Sequence, residues 1–242
     1  MKILITGASG KVGRALRREL SAAGHSLRLA DVRPIENAEG EPIALNVADG
    51  HAVSKAMEGI DAVAHLAFGS DLHDDSLADI TPNFDVNVKG TYFLLEAAKS
   101  HGVKRFVYTS TLSVFGDSPK LLHRLWNEHS PAQPRAVYGL TKYMGEDVCR
   151  YFAERHKMSI FCLRLCSVRA AEEWEQRSRW HPHWFHMGTH VDDVARAIHL
   201  ALTVPHNGYE VLHIAADNPK RPTEIARARQ VLGFRPRYRV EA

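Results

Sequence analysis

The chain opens on Lys2-Ile3-Leu4-Ile5-Thr6 and runs without a linker into Gly7-Ala8-Ser9-Gly10-Lys11-Val12-Gly13. The first five residues read as a buried strand. Val12 to Ala22, with apolar residues at Val12, Leu16 and Leu20, reads as a helix. A strand that enters a helix through three glycines constrains the fold more than any other feature here. Glycine permits the tight turn and lets the backbone approach a phosphate closely. The helix N-terminus behind it offers free N–H groups and a favourable dipole. A lone glycine triplet is weak, and its position between a first strand and a helix is what gives it weight.

The alternation continues along the chain. Strands are expected at Ser26 to Ala30 (ending at Asp31), Pro42 to Leu45, Asp61 to Leu66, Arg105 to Thr109, Ser159 to Leu165 and Val211 to Ile214. Helices are expected at Val53 to Met57, Phe84 to Ser100, Tyr138 to His156, Asp192 to Leu202 and Pro222 to Leu232. Strands alternating with helices predict an α/β fold with a doubly wound parallel sheet. The pattern changes after Leu165. Glu172 to His190 holds Trp174, Trp180, Trp184, Phe185 and four histidines with little periodicity, and reads as a loop-rich cap. The expected organisation is a dinucleotide-binding part over residues 1–165 and a small substrate-binding cap over 166–242, in one compact unit.

Bulk properties exclude several classes. A length of 242 residues suits one sizeable domain, and 45% hydrophobic with 24% charged residues is an ordinary globular balance. The net charge of +3, with basic residues scattered and no recognition motif, gives no support for nucleic-acid binding. No apolar run reaches the roughly 18 residues of a membrane span. Lys2-Ile3-Leu4-Ile5 runs directly into the glycine turn, so no secretory leader is expected ahead of the first strand. Cys149, Cys162 and Cys166 are odd in number and suggest no disulfide framework, so a cytoplasmic setting is expected.

Three further features bear on a dinucleotide. Asp31 ends the second strand, where a carboxylate can accept from a ribose diol and repel a 2′-phosphate. This favours NAD over NADP, although Arg33 nearby could accept that phosphate. Asp49 follows the third strand and could meet an adenine edge. His65-Leu66-Ala67-Phe68 ends the fourth strand, where its backbone could pass under the pyrophosphate. Taken alone, His65 reads better as a satisfied core histidine.

Tyr138 and Lys142 stand four residues apart on one helix and share a face. A free tyrosine, with a pKa of about 10, is too weakly acidic to be a base at neutral pH. A neighbouring ammonium lowers that value, as a general acid–base residue requires. Such a pair is common, and alone it reads better as a solvated helix face. Val107-Tyr108-Thr109-Ser110-Thr111 strengthens the case, because strand C-termini in such sheets face the ligand crevice. Thr111 is the hydroxyl expected to orient a substrate oxygen, with Ser110 and Ser113 as neighbours. The bland alternative is that these hydroxyls only hold a turn.

In these residues the chain resembles the extended short-chain dehydrogenase/reductases, the NAD-dependent epimerase/dehydratase family. The resemblance spans roughly residues 1–200. It rests on Thr6-Gly7-x-x-Gly10-x-x-Gly13, Asp31, Asp49, His65-Leu66-Ala67, Asn87-Val88-x-Gly90-Thr91, Thr109-Ser110-Thr111, Tyr138-x-x-x-Lys142, Leu163-Arg164 and His190-Val191-Asp192-Asp193-Val194. It implies a Rossmann-type sheet, bound NAD and a catalytic set of Thr111, Tyr138 and Lys142. It implies cofactor contacts from Gly7, Ser9, Gly10, Lys11, Val12, Gly13, Asp31, Arg33, Asn46, Val47, Asp49, Leu66, Ala67, Phe68, Asn87, Thr109, Tyr138, Lys142 and Leu165. Asn87 would also support the site through its helix, and a homodimer would pair the two long helices. The short C-terminal part is similar to that of the small uronate-dehydrogenase-like members. Where those carry a Ser-Ser-Asn-His type of loop, this chain has Ser110-Thr111-Leu112-Ser113.

The expected reaction is hydride transfer between NAD and an alcohol or carbonyl of a small polar, sugar or sugar-acid substrate. Substrate contacts are expected from Ser70, Thr111, Leu112, Ser113, Tyr138, Arg177 and Arg179, the arginines because they can pair with a carboxylate or phosphate. No metal is expected, since His181, His183, His186 and His190 lack ligand spacing. Two alternatives stay open: an NAD-dependent epimerase or dehydratase with an internal redox cycle, and a non-catalytic NAD(P)-sensing module.

Overall fold

Among the described residues seven strands lie parallel in one sheet, in the order Glu41–Ala44, Ser26–Asp31, Lys2–Thr6, Ala62–His65, Arg105–Thr111, Ser159–Leu165 and Gly208–Ile214. The computed structural model describes residues 1–70, 75–116, 125–176, 186–218 and 220–239. The first half contains β1 (Lys2–Thr6), α1 (Lys11–Ala22), β2 (Ser26–Asp31), β3 (Glu41–Ala44), α2 (Gly50–Ala56) and β4 (Ala62–His65). Then come α3 (Leu77–Phe84), a π-helical turn (Asp85–Gly90), α4 (Thr91–Ser100), β5 (Arg105–Thr111) and a 3₁₀ turn (Leu112–Phe115). The second half has α5 (Val137–His156), β6 (Ser159–Leu165), β7 (Val168–Arg169), α6 (Ala171–Glu175), β8 (Thr189–His190), α7 (Val191–Thr203), β9 (Gly208–Ile214) and α8 (Ala226–Leu232).

Successive strand side chains point to opposite faces, so each strand divides its apolar residues between two cores. On one face Ile3, Ile5, Leu29, Leu163 and Leu212 meet Leu16 and Leu20 of α1 and Val194, Ile198 and Leu202 of α7. On the other, Leu4, Val63, Phe106, Tyr108 and Cys162 meet Val53 of α2, Leu94 and Leu95 of α4 and Phe152 of α5. This is the doubly wound parallel α/β arrangement expected from the alternation, and the Rossmann-type sheet that the resemblance implies.

Several boundaries differ from expectation. Helix starts before Phe84, at Leu77, where the Ser76 side chain accepts from Asp79 N–H. α3 accommodates Pro82 in its last turn, although proline there lacks the backbone donor and crowds the preceding turn. The long helix to Ser100 is not continuous. At the π turn the Asn87 carbonyl accepts from the Thr91 hydroxyl at 2.7 Å and from Tyr108 OH at 3.4 Å. β5 continues to Thr111 because its pairing with β6 holds through Leu165. The last helix begins only at Ala226, since Pro222 and Thr223 bond to the Trp126 backbone instead.

Past residue 165, the chain does not all form a cap. α7 packs on α1, and β9 pairs with β6 along its full length, so both complete the sheet sandwich. The cap proper is smaller. α6 buries Trp174 against Ala216 and Tyr238, and the Tyr238 ring stacks on His190. Among the described residues no helix is long and apolar enough to cross a membrane.

The core holds neutral imidazoles. Burial, reinforced by Lys142, pushes His65 well below its ordinary value. Burial and then Arg164 push His213 down to about 3. In the unfolded chain each ring takes up a proton near about 6.5, so below that pH the unfolded state binds more protons and stability must fall. We expect the urea midpoint to drop steadily on acidification from neutrality. A flat midpoint between about pH 7 and about pH 5 would contradict neutral burial of these rings.

Candidate active site

The sheet order reverses between β1 and β4, and the crevice beyond the strand C-termini at such a point is where open α/β sheets take ligands. Thr6, His65, Thr111 and Leu165 end β1, β4, β5 and β6 around it.

The glycine turn is built by close approach. Gly7 has φ +71°, and a Cβ on it would lie 2.7 Å from Ala67 N, so the loop after β4 passes directly beneath the turn. A Cβ on Gly13 would overlap the Gly7 carbonyl oxygen and lie 2.7 Å from the Ala8 backbone. These two positions demand glycine because backbone meets backbone. α1 starts at Lys11 behind Gly10, which has no side chain to cap it, and no acidic residue stands in the first turn. Its first N–H groups therefore remain available to a diphosphate, which is the cradle such a group fits.

Asp31 is buried beside this turn. Its Oδ2 accepts from the Ser9 N–H at 3.0 Å and the Ser9 hydroxyl at 2.7 Å, and its Oδ1 accepts from the Arg33 N–H at 3.0 Å. Burial alone would raise this carboxyl. The Arg33 and Ser9 hydrogen bonds and the Arg33 guanidinium, 3.6 Å away, outweigh it and hold Asp31 below its ordinary value. Arg33 itself is largely exposed and turned to Asp31.

Other residues expected near a cofactor have local structural duties. The Lys11 ammonium reaches over the turn to Glu173 Oε2 at 2.9 Å and to the Val168 carbonyl at 3.3 Å, tying the cap to the glycine turn. One Asp49 oxygen caps α2, accepting from His51 and Ala52 N–H at 3.0 and 3.1 Å. Asn46 closes a turn onto the Ala48 N–H, and buried Val47 packs on Gly90. Leu66 is buried, Leu165 half-buried, and exposed Phe68 sets its ring edge-on to Tyr138 at 6.2 Å.

Tyr138 and Lys142 lie in the first turns of α5. Tyr138 is half-buried, whereas Lys142 is 2% exposed. The Lys142 ammonium donates to the Thr109 carbonyl at 2.9 Å and sits 4.8 Å above the Tyr108 ring. Burial lowers it to about 7, partly offset by Cys149, Cys162 and Glu146. Two glycines let α5 come this close. A Cβ on Gly139 would meet the Ser113 carbonyl oxygen at 2.5 Å, and one on Gly145 would strike the Tyr108 phenol.

The Thr111 hydroxyl caps the 3₁₀ turn, accepting from Ser113 N–H at 3.1 Å and donating to Ser113 Oγ at 3.1 Å. Leu112 faces a buried cluster with Phe115, Trp126 and Met187. Ser110 points into the protein and donates to Glu146 Oε1 at 2.5 Å. Glu146 is gripped by Arg164 at 2.9 and 2.7 Å, both side chains at most 5% exposed. Arg177 and Arg179 lie outside the described residues, as do His181 and His183. Among the described residues no cluster of three or more His, Cys, Asp or Glu side chains is placed to hold a metal.

His65 is a satisfied core residue. The Thr91 hydroxyl donates to the Asn87 carbonyl, so it accepts from His65 Nε2–H at 3.1 Å, and Nδ1 accepts from the Thr6 hydroxyl at 2.7 Å. Asn87 is central in a way the helix pattern could not reveal. It donates to Thr141 Oγ1 at 3.0 Å and to Asn83 Oδ1 at 2.9 Å, and accepts from Gly69 N–H at 3.3 Å. Asn83 and Asp79, both fully buried, escaped the sequence reading. Their only sequence signal is polar residues at i and i+4 ahead of Asn87.

Comparison with known proteins gives the relatives of this chain. The pattern of the NAD dependent epimerase/dehydratase family matches residues 3–185. A uronate dehydrogenase of Pseudomonas syringae pv. tomato is 31% identical over 221 residues, covering 90% of this chain and 75% of that protein. An L-arabinose 1-dehydrogenase (NAD(P)(+)) of Haloferax volcanii is 29% identical over 265 residues, covering 98% of this chain and 96% of that one. A crystal structure of a short-chain dehydrogenase/reductase superfamily protein from Agrobacterium tumefaciens with bound NAD superposes with a TM-score of 0.85 at 26% identity. It covers 99% of this chain and 94% of its own.

The buried Glu146–Arg164 pair yields a direct prediction. Glu146→Ala strands the Arg164 charge in the core and should cost about 3–5 kcal/mol of stability. Urea unfolding measures this, and a loss below about 1 kcal/mol would show that solvent reaches the pair.

Proposed function

This chain belongs to the NAD dependent epimerase/dehydratase family, and from that premise we propose that it is a dehydrogenase oxidising a hydroxyl of a sugar or sugar acid. One observation carries this reading. A buried lysine on α5 holds its ammonium at the end of β5, one helical turn from Tyr138 and beside the sheet's switch point. A uronic acid is the preferred substrate class, supported by the similarity to uronate dehydrogenase.

NAD supplies the hydride acceptor when bound. The N–H groups at the start of α1 hold its diphosphate, and Asp31 accepts from its adenosine ribose. Thr111 and Ser113 orient the substrate hydroxyl, with Ser70 and the Leu112 backbone lining the same side. Tyr138, as phenolate, takes the hydroxyl proton while the carbon bearing it gives up its hydride. Lys142 stabilises the phenolate through its charge. Asn87 and Thr109 hold the surrounding backbone. Glu146 and Arg164 form a floor beneath Thr111.

The protein works as a homodimer in this reading, in a cytoplasmic setting. Exposed Phe84, Tyr92, Leu140 and Tyr151 along α3 to α5 support the dimer, and three buried free thiols support a reducing compartment. Sedimentation should give twice the chain mass, and Tyr92→Glu should halve it. A wild-type monomer at micromolar concentration would remove the dimer from the reading.

The decisive assay is NADH absorbance with NAD and a panel of uronic acids, aldoses and simple alcohols. NADH should accumulate with a uronic acid. Tyr138→Phe should abolish turnover and leave NAD affinity nearly unchanged, and Lys142→Met should move the rate profile towards the free-tyrosine value of about 10. Substrate conversion without net NADH would favour an epimerase or dehydratase.

A further inference from the structure

We infer that Asp75, Asp79 and Asn83 are positioning residues that lock the loop after β4 to the first turns of α5 and so set the gap in which substrate meets Tyr138. The inference rests on the dehydrogenase reading above.

Asp79, Asn83 and Asn87 stand at i, i+4 and i+8 through α3 and the π turn, and all three are fully buried. Their bonds form one directed chain. Asp79 Oδ1 accepts from Asn83 Nδ2 at 2.9 Å, which orients the Asn83 amide. Asn83 Oδ1 then accepts from Asn87 Nδ2 at 2.9 Å and from the Ser70 N–H at 3.3 Å. Asn87 Oδ1 accepts from the Gly69 N–H at 3.3 Å, and its Nδ2 also donates to Thr141 Oγ1 at 3.0 Å. On the other side, Asp79 Oδ2 accepts from the Asp75 N–H at 3.3 Å, and Asp75 Oδ1 accepts from the Val137 N–H at 3.0 Å.

The ends of this relay are what give it a catalytic meaning. On α5 it grips Val137 and Thr141, the residues immediately before Tyr138 and Lys142. On the loop it grips Gly69 and Ser70, next to the Phe68 ring that meets Tyr138. The loop is pressed so closely on α3 that a Cβ on Gly69 would overlap the Pro82 carbonyl. α5 has Ala136 at its N-cap, whose methyl group offers no acceptor, and Asp75, 62 residues before Val137, supplies one for its first turn. Asp75 does so from a left-handed conformation, φ +53°, which a non-glycine residue holds only when its surroundings insist. A fully satisfied buried network rigidifies and specifies one arrangement, so the relay should act on substrate placement as well as on stability.

Two kinds of variant test this. Asn83→Asp keeps shape but turns an oxygen towards Asp79. Asp75→Ala removes the α5 cap, while Asp75→Asn keeps an acceptor and tolerates the left-handed backbone. Asn83→Asp and Asp75→Ala should lower kcat/KM for the uronic acid by on the order of tenfold to a hundredfold, with NAD affinity unchanged. Asp75→Asn should restore most of it. Amide exchange should quicken together at Gly69, Ser70 and Val137 in Asn83→Asp. Val103→Ala, a core variant at the opposite end of the sheet, provides the comparison for lost stability alone. The inference fails if kcat/KM falls no further than in a Val103→Ala protein of matched Tm loss, or if exchange quickens at one end only. Should Asn83→Asp not fold, the Asp75→Ala and Asp75→Asn pair decides by the same criteria. A wild-type protein inactive on every sugar acid would overturn the functional reading, and the exchange experiment would still judge the relay.

Discussion

The burial of the Lys142 ammonium at the end of β5 is the constraint on which the site depends. A cation out of water needs acceptors and polarisable surface, and here the Thr109 carbonyl and the Tyr108 ring supply them. That demand brings α5 against the strand, which in turn requires Gly139 and Gly145 at the contact. Tyr138, one turn earlier, is thereby carried to the strand C-termini. The same burial that lowers Lys142 to about 7 makes its charge responsive to a neighbouring anion, the property a proton-transfer pair needs.

Beneath this contact lies a second polar layer. Ser110, Glu146 and Arg164 join β5, α5 and β6, so the strand end bearing Thr111 is tied to the helix bearing Tyr138 from below. The Asp79–Asn83–Asn87 relay ties the same helix from the side. Buried polar groups of this kind add little net stability, but they admit few alternative arrangements. On the opposite side of the crevice, the Lys11–Glu173 pair fastens the small cap to the glycine turn. It is half-exposed, and its effect is one of placement more than of energy.

Local chemistry determined much of this protein. The strand and helix periods, the glycine triplet behind β1, Asp31 at the end of β2 and the Tyr138–Lys142 spacing are each readable because they act within a few residues. The parallel sheet followed from their alternation, and the family resemblance from their order. What escaped were features whose partners lie far along the chain. The start of α3 was missed, and its polar face is explained only by Gly69, Ser70 and Thr141. β9 and α7 looked like part of a cap until pairing with β6 and packing on α1 placed them in the sheet sandwich. Thr111, Lys11 and Asp49 were visible as candidates, but their present hydrogen-bond partners were not.

The sequence by itself determined the architecture and the chemical type of the site, because both depend on periodicity and on residues fixed at short spacing. Only the tertiary structure decided that Lys142 is buried, that Ser110 turns inward to Glu146 while Thr111 caps the turn, and that Asp75 completes α5 from 62 residues away. Burial and long-range hydrogen bonding arise only when distant segments meet. No window along the chain contains both partners.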